Sequence, residues 1–281
     1  MDNSSHLEGP SQQEPLTSTD NIVVKNRFDV KTRKTFFGFA SILIFFTLSI
    51  PLAFPLALFM ESPYFIVVGI FATGVMFLGT LLVALLGIGI RKNRNELTLK
   101  EFLKSHLYLG HPIERKKFYY IFGAILGLVL FAILQLLVPV FYNLFGIVLE
   151  SSDTSNSIGE LTGVIGVLTM VFAVPFIVPF LEELFFRGFV LGFIADGSIS
   201  DRRPKLAAAV AIIYSSIFFG IAHFQGATLL GFIIVGWITL VAVIKSFLFL
   251  KTKSIWPGVL VHVVYNGITV LSIAGLLIFG G

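Results

Sequence analysis

The sequence predicts an all-α fold: a polytopic transmembrane helix bundle with seven to eight spans. Only 13% of the 281 residues are charged, about half the roughly 25% that is typical of soluble domains, and the mean hydropathy is +0.92. Unbroken apolar stretches each approach or exceed the ~20 residues that a helix needs to cross a bilayer. These stretches cover residues 36–60, 64–90, 118–149, 161–195, 206–224, 228–250 and 255–279. Two of them are long enough to contain a break and an eighth span.

The charges between the apolar stretches predict the orientation of the chain. Residues 1–34 are polar and basic and are predicted to form a disordered cytoplasmic tail. The basic loop 91–117 is predicted to be cytoplasmic by the positive-inside rule, whereas the acidic loop 150–160 fits the outside. We therefore expect N-terminal transmembrane helices over 35–160 and a second transmembrane region over 161–281. The basic residues behind the net charge of +4 lie mainly in the tail and the loops, which is the positive-inside pattern of membrane proteins. No nucleic-acid partner is therefore expected.

One part of the basic loop has a helical pattern of its own. Apolar side chains recur at Leu99, Phe102, Leu103 and Leu107. This spacing predicts a short helix that lies in the plane of the membrane interface.

Few ionisable residues lie inside the apolar stretches, and these are the candidate functional groups. A charge at mid-bilayer costs roughly 2.5–3.5 kcal/mol on insertion scales, so such residues are rare and commonly functional. They are Glu182, Glu183, Arg187, His223, Lys245 and His262. We expect Lys245 to be the exception, because it lies six residues from Lys251, ~9 Å along a helix, and can extend to the cytoplasmic surface.

Helical geometry separates the two adjacent glutamates. Glu183 and Arg187 are four residues apart, so they share a face and can form an ion pair. Glu182 lies ~100° around the helix and is predicted to face elsewhere, without this partner. A carboxylate in such a place is suited to act as a general base. The alternative interpretation is a buried polar cluster that only holds the helices together.

The two histidines each share a helix face with a second residue. Phe219 and His223 are four residues apart, as are His262 and Asn266. A histidine in an apolar helix is commonly a packing residue, which is the alternative here. Counted along straight helices from the cytoplasmic ends at 1.5 Å per residue, Glu182, His223 and His262 lie at about 21, 27 and 10 Å. Tilted helices and a chain break at "HFQGAT" (223–228) would let them converge, and Pro175 and Pro179 allow a bend before Glu182.

These groups match the hydrolysis of an acyl bond. Glu182 with His223 would activate a water molecule, and Asn266 with His262 would stabilise the developing oxyanion. Glu183 and Arg187 would orient the catalytic groups.

Other hydrolytic mechanisms match the sequence less well. The chain has no cysteine and no aspartate inside an apolar stretch, and it contains no H-E-x-x-H motif. Ser215 and Ser216 lack a surrounding G-x-S-x-G motif and are interpreted as helix-packing residues. A zinc site formed by Glu182, His223 and His262 is the open alternative; no metal or other cofactor is favoured.

The motifs "EELFFR" (182–187), "FGIAH" (219–223) and "HVVYN" (262–266) resemble those of the CPBP family. This family contains the CAAX-type prenyl endopeptidases and the bacterial bacteriocin-processing or immunity (Abi) proteins. The resemblance covers roughly the C-terminal 110 residues. It implies an intramembrane endopeptidase in which Glu182, His223 and His262 are catalytic and Asn266 is an oxyanion donor. Glu183 and Arg187 are further motif members. The family has been described both as metal-dependent and as using a glutamate-activated water, which we favour.

The polar tail and short loops favour a protein of a bacterial cell membrane, with the lipid bilayer and a peptide or membrane-protein substrate as partners. Eukaryotic members cut after a prenylated cysteine, but nothing in this sequence indicates a prenylated substrate. Bacteriocin processing or self-immunity is one role that the family implies. Two rival hypotheses are a non-catalytic immunity or scaffold protein and a transporter with buried Glu and His. The confinement of the buried ionisable groups to residues after 180 disfavours a transporter built from related halves. The sequence predicts no oligomeric state.

Overall fold

A computed structural model describes most of the chain. The described residues are 31–49, 65–88, 107–110, 113–145, 169–224 and 227–279.

The described residues form helices joined by short turns and bends, with no strand among them, so the predicted all-α fold is confirmed. Each of the seven apolar stretches contains one long helix. In chain order the helices are α1 (31–49), α2 (Phe65–Ile88), α3 (Lys116–Phe145), α4 (169–195), α5 (Ser198–Arg202), α6 (Pro204–Ile221), α7 (Leu229–Thr252) and α8 (Trp256–Phe279).

Three helices in the described ranges are long and apolar enough to cross a membrane. They contain the segments Lys116–Phe141, Pro204–Ile221 and Leu229–Thr252. Large apolar side chains such as Leu136, Ile213 and Phe247 remain exposed on these helices, as expected where a helix faces lipid. The chain is therefore a membrane protein, while the count of seven to eight spans stays a prediction.

Helix α4 departs twice from α-helical geometry. Its first part, Thr169–Ile177, is π-helical, Val178–Glu183 is α-helical, and Leu184–Leu191 is π-helical again before a final α-helical turn, Gly192–Ala195. The prolines at 175 and 179 lack an N–H group, so a regular hydrogen-bond ladder cannot pass through them. The π-helical segments lie directly beside Glu182 and Glu183, in agreement with the frequent occurrence of such irregularities at functional sites.

Helices α3 and α8 pack closely through a G-x-x-x-G pattern in α3. A β-carbon added at Gly123 would lie 2.9 Å from the carbonyl oxygen of Pro257, and one added at Gly127 would lie 2.7 Å from that of Val261. Both distances are too short for any residue larger than glycine. The two glycines therefore allow the backbone of α3 to approach that of α8.

The N-terminal helices and the C-terminal region share one apolar core. The ring of Phe77 in α2 lies 5.0 Å from Phe45 in α1 and 4.9 Å from Phe185 in α4, measured between ring centroids. Phe185 also contacts Phe186 edge to face at 5.0 Å. Offset and edge-to-face rings of this kind add to the burial of apolar surface. Helices α1 and α2 thus support the segment of α4 that carries the two glutamates.

The prediction of an interfacial helix is wrong at Leu107. Leu107 and Tyr108 are not helical, and they are fully buried between α4 and α7. Tyr108 has a left-handed backbone (φ 58°), its ring lies 4.9 Å from Phe249, and its hydroxyl donates a hydrogen bond to Asp196. The apolar side chain of Leu107, which suggested a helix in the membrane interface, packs in the core instead. Leu99, Phe102 and Leu103 lie outside the described residues.

The helix ends that the sequence assigns to the cytoplasm meet at one end of the bundle. Lys31 at the start of α1 pairs with Asp201 in α5, and Lys253 after α7 pairs with Asp196 at 3.0 Å. Burial alone would raise the pKa of the Asp196 carboxyl, but the hydrogen bond from Tyr108 and the charge of Lys253 hold that pKa below its usual value. The acidic loop 150–160 lies outside the described residues.

Candidate active site

Glu182 lies between two histidines from two other parts of the fold. Its Oε1 is 3.7 Å from Nε2 of His223, directly after α6, and its Oε2 is 3.6 Å from Nε2 of His262 in α8. Glu182 is 8% exposed. Its Oε2 is a buried atom without a hydrogen-bond partner among the described residues. The structure therefore brings together the three residues whose depths along straight helices differ.

The start of α8 explains why a simple depth count placed His262 too close to the surface. Trp256, the first residue of α8, stacks on Phe180 with centroids 5.6 Å apart, and the side chain of Ile255 lies against Gly188. Helix α8 therefore begins level with the middle of α4 and not level with Asp196. One and a half turns later, His262 reaches the carboxylate of Glu182.

His223 reaches the site because α6 ends early. The helix stops at Ile221, and His223 lies in the following turn. This is where "HFQGAT" predicted a break, although residues 225 and 226 lie outside the described residues. Nδ1 of His223 is 2.8 Å from the carbonyl oxygen of Phe219. Because a carbonyl only accepts, Nδ1 carries the proton in the neutral ring, and Nε2 presents a lone pair to Glu182.

Glu183 has different partners from Glu182, as the helical geometry predicted. Its Oε1 is 3.1 Å from Nη1 of Arg187. A second cation, which the sequence did not predict, pairs with the same oxygen: Nζ of Lys245 donates to Oε1 at 2.6 Å. Glu183, Arg187 and Lys245 are each at most 1% exposed, so they form a buried cluster of one anion and two cations.

The predicted extension of Lys245 to the cytoplasmic surface is therefore wrong. Its side chain is fully buried and points between α4 and α8, where Nζ also lies 3.4 Å from Nδ1 of His262. The sequence showed only the distance to the end of α7. It did not show that a buried anion, Glu183, is available on the neighbouring helix to balance the charge.

Phe219 lies at the centre of the site. The guanidinium of Arg187 is 4.4 Å and Nζ of Lys245 is 4.6 Å from the centroid of its ring. The rings of His223 and His262 lie 4.8 and 6.0 Å from the same centroid. An aromatic ring attracts cations to its faces and is an apolar spacer at the same time. Phe219 thus contacts both the cations of the Glu183 cluster and the two histidines.

Asn266 lies one turn beyond His262 and lines the same cavity. Its Nδ2 donates to the carbonyl oxygen of Val174 at 3.3 Å. In the π-helical pattern this carbonyl would accept from the N–H of residue 179, which is a proline and has none. The amide of Asn266 carries a second N–H, which is available to a ligand.

A cavity of about 200 Å³ opens beside these groups. One end is polar and contains Glu182, His223, His262, Lys245 and Asn266, and the rest is mainly apolar. The remaining lining residues are Val178, Phe219, Trp237, Ile238, Val241, Val261 and Tyr265. Trp237 and Tyr265 are linked across α7 and α8 by a hydrogen bond of 3.3 Å. The cavity combines reactive groups with apolar walls, as substrate sites commonly do.

Glu182, His223 and His262, the residues of the alternative zinc site, lie together in the structure. Among the described residues, no group of three or more His, Cys, Asp or Glu side chains has the arrangement that holds a metal ion. The ammonium of Lys245 lies next to His262 and would oppose a dication in this position.

The buried serines of α6 make helix contacts. Oγ of Ser216 is 3.3 Å from Oγ of Ser246 in α7, and Oγ of Ser215 donates to the carbonyl oxygen of Ile212 at 3.4 Å. Such pairs are common where transmembrane helices meet. These contacts agree with the predicted packing role.

Comparison with known proteins gives one family match. The family described as "Rce1-like: Type II CAAX prenyl endopeptidase Rce1-like" matches residues 164–268. No curated protein and no solved structure matches the chain. The matched region contains all three motifs, the turn after α6 that carries His223 and the part of α8 that carries His262. The resemblance to CAAX-type endopeptidases is thereby confirmed for this region, which points to a membrane-embedded protease.

Proposed function

We propose that the protein is an intramembrane endopeptidase that hydrolyses a peptide bond with a water activated by Glu182 and His223. One observation carries the proposal: a buried carboxylate lies between the Nε2 atoms of two histidines, at 3.7 and 3.6 Å, beside a cavity. Both distances exceed a direct hydrogen bond. A water between the groups would bridge them.

The proposed reaction begins with that water. The water gives one proton to Glu182 and directs its other O–H to Nε2 of His223, which presents a lone pair. The oxygen then attacks the carbonyl carbon of the scissile peptide bond, and the carbonyl oxygen takes up the negative charge. When the C–N bond breaks, the proton held by Glu182 passes to the leaving amine. The products are one carboxylic acid and one amine, so atoms and charge balance.

His262 and Asn266 are the proposed partners of the oxyanion. Nε2 of His262 and the second N–H of Asn266 face the cavity that holds the scissile carbonyl in this mechanism. Donors that are already in place stabilise a developing oxyanion by several kcal/mol. Glu183 and Arg187 are positioning residues: their ion pair fixes the orientation of the part of α4 from which the side chain of Glu182 projects. Zinc held by Glu182, His223 and His262 is the alternative that the test below includes.

We further propose that the protein is a multi-pass protein of a bacterial cell membrane, with a cytoplasmic N-terminus and seven to eight spans. The helix ends with basic residues lie together at one end of the bundle, which supports this orientation. The proposed substrate is a peptide or a membrane protein, and bacteriocin processing or self-immunity is the proposed role.

The test is a cleavage assay in liposomes with a library of membrane-anchored peptides, read by mass spectrometry. We expect wild-type protein to cleave at least one member, and His223→Ala to lose about 10²–10⁴-fold of that rate. A chelator should leave the rate unchanged; loss on chelation with recovery on adding zinc would replace the water mechanism by the metal mechanism. Equal cleavage by His223→Ala would contradict both.

The rival functions predict other results in the same assay. A non-catalytic immunity or scaffold protein would cleave no library member, and its partner binding would tolerate His223→Ala. A transporter would move protons or a solute across the liposome membrane without peptide products.

A further inference from the structure

Lys245 belongs to none of the three motifs, yet it contacts one residue of each: Glu183, Phe219 and His262. We propose that Lys245 is a positioning residue that fixes the tautomer of His262, so that Nε2–H points to Glu182 and the substrate. The inference rests on the proposed function, because the tautomer matters only if His262 donates to an oxyanion. The contacts that carry it are those of Nζ with Nδ1 of His262 at 3.4 Å and with Oε1 of Glu183 at 2.6 Å.

The contact with His262 determines which ring nitrogen carries the proton. A lysine ammonium has three donors and no acceptor. The hydrogen bond at 3.4 Å therefore forms only if Nδ1 of His262 is unprotonated. In the neutral ring the proton is then on Nε2, the atom that lies 3.6 Å from Oε2 of Glu182.

The two histidines consequently present opposite atoms to the same carboxylate. Nδ1 of His223 donates to the carbonyl of Phe219 at 2.8 Å, so its Nε2 is an acceptor. Nδ1 of His262 accepts from Lys245, so its Nε2 is a donor. One ring is thus prepared to accept a hydrogen bond from the attacking water, and the other to donate one to the oxyanion. A difference in their partners, and not in the rings, sets the two roles.

Removal of Lys245 would reverse the tautomer of His262. The next polar atom at Nδ1 is Oε1 of Glu183, at 3.5 Å. An ionised carboxylate only accepts hydrogen bonds, so without the lysine the ring would carry its proton on Nδ1. Nε2 would then face Glu182 and the substrate as an acceptor, and the oxyanion would lose one donor. The position of Lys245 between Glu183 and His262 prevents this arrangement.

The ammonium is held in this position from several sides. Oε1 of Glu183 accepts its shortest hydrogen bond, the ring of Phe219 lies 4.6 Å away, and the side chain is 1% exposed. Arg187 also pairs with Oε1 of Glu183, so Lys245 is not the sole cation that neutralises this carboxylate in the described structure. This second cation leaves Lys245 available to act on His262.

The direct test is the ¹⁵N spectrum of the wild-type protein, with ring-labelled histidine and purified in detergent. The chain has five histidines, and the signal of His262 is assigned by its loss in His262→Gln. We expect Nε2–H for His262 and Nδ1–H for His223. Nδ1–H in His262 of the wild-type protein would overturn the inference without any variant of Lys245.

Variants of Lys245 test the consequence for catalysis. Lys245→Met removes the donor at similar length, and we expect Nδ1–H in His262 and about 10²-fold lower kcat with KM unchanged, as for loss of one oxyanion donor. Lys245→Arg keeps a group that only donates, so it should keep the wild-type tautomer and more activity than Lys245→Met. Lys251→Met, at the exposed end of the same helix, is the control and should match wild type.

The outcomes separate this inference from the proposed function. If His223→Ala loses activity while Lys245→Met keeps both the wild-type tautomer and kcat, the inference on Lys245 is wrong and the proposed function stands. If Lys245→Met does not fold, the wild-type spectrum and Lys245→Arg decide. If His223→Ala is fully active, the proposed function fails, whatever the tautomer of His262.

Discussion

At the scale of single residues, two neighbouring glutamates have different environments and therefore different roles. The carboxylate of Glu183 is balanced by Arg187 at 3.1 Å and Lys245 at 2.6 Å. Glu182 pairs with His223 and His262, and among the described residues no lysine or arginine forms an ion pair with it. A buried ion cluster is sensitive to the loss of one member, because the remaining charges are left without compensation. Glu183 is therefore a structural anion, and Glu182 is the residue available for chemistry.

The first prediction contrasts the two glutamates in stability. Glu183→Gln should lower the free energy of unfolding by about 3–5 kcal/mol, because Arg187 and Lys245 then remain buried without their anion. Glu182→Gln should change it by less than about 1 kcal/mol, since no ion pair with a permanent cation is lost. The measurement is unfolding in mixed detergent micelles. Equal destabilisation by the two variants would show that the division of roles is wrong.

Part of this site was predictable from the sequence at the residue scale. The four-residue spacing predicted the pair of Glu183 and Arg187 and the separate direction of Glu182, because local helical geometry fixes both. Lys245 was interpreted incorrectly, because its partner Glu183 is 62 residues away and no local pattern shows that contact. Spacing along one helix shows which residues share a face, but the opposing helix determines what that face meets.

At the scale of helices, the start of α8 positions the site. Its first turn packs against residues 180–188 of α4, so the carboxylate of Glu183 lies against Gly258. A β-carbon at Gly258 would be 2.8 Å from Oε2 of Glu183. That oxygen is also close to the N-terminus of α8, where the helix dipole favours an anion. The glycine in "WPGV" thus allows the carboxylate of α4 to approach the helix that carries His262.

The second prediction concerns that close approach. Gly258→Ala should displace the carboxylate of Glu183 from Arg187 and Lys245, because neither the helix backbone nor the buried cluster has room for a methyl group. We expect at least about 10-fold lower kcat/KM, the equivalent of about 1.4 kcal/mol. Gly267→Ala is the control in the same helix, since its β-carbon would meet no atom within 4 Å. Full activity of Gly258→Ala would contradict the proposed positioning by α8.

The helices, the break after α6 and a bend at the prolines of α4 were predictable from local sequence, but the depth at which α8 starts was not. Each apolar stretch contains a helix because a bilayer leaves no other way to satisfy backbone groups along a span. The deep start of α8 depends on contacts of Trp256 with Phe180 and of Ile255 with Gly188. These contacts join parts of the chain that are far apart in sequence. A depth count along straight helices therefore separated residues that meet in the structure.

At the scale of the whole molecule, polar contacts tie several helix ends together at the predicted cytoplasmic end. Asp196 after α4 accepts hydrogen bonds from Tyr108 and from Lys253. Nε1 of Trp256 donates to the carbonyl of Leu109 at 2.9 Å. These contacts connect the segment 107–110 with the ends of α4 and α7 and the start of α8. They stabilise the end of the bundle from which α8 descends to the site.

The third prediction uses the pH dependence of this network. The pKa of Asp196 is lowered in the folded protein: burial opposes the shift, while Tyr108 and Lys253 cause it. Its stabilising contribution is therefore complete above the ordinary aspartate pKa, about 3.9, and is lost as the pH falls through the lower folded-state pKa. Asp196→Asn should unfold at a lower temperature than wild type at neutral pH, and the difference should shrink in acid. A difference that grows on acidification would contradict the assignment.

The fourth prediction tests the topology. The chain has no cysteine, so single cysteines report without background. In intact cells a membrane-impermeant maleimide should label Ser152→Cys, in the acidic loop, but should label Arg202→Cys only after permeabilisation. This follows from basic loops inside and the acidic loop outside. Labelling of Arg202→Cys in intact cells would reverse the proposed orientation and place the start of α8 on the outer side.

The most direct measurement of the central claim compares two Glu→Gln variants in single-turnover cleavage of a peptide substrate in liposomes. Glu182→Gln removes the proposed base and should slow the chemical step by about 10²–10⁴-fold. Glu114→Gln, at an exposed position before α3, makes the same chemical change away from the site and should cleave at the wild-type rate. If Glu182→Gln cleaves as fast as Glu114→Gln, the water is not activated by Glu182 and the proposed hydrolysis is wrong.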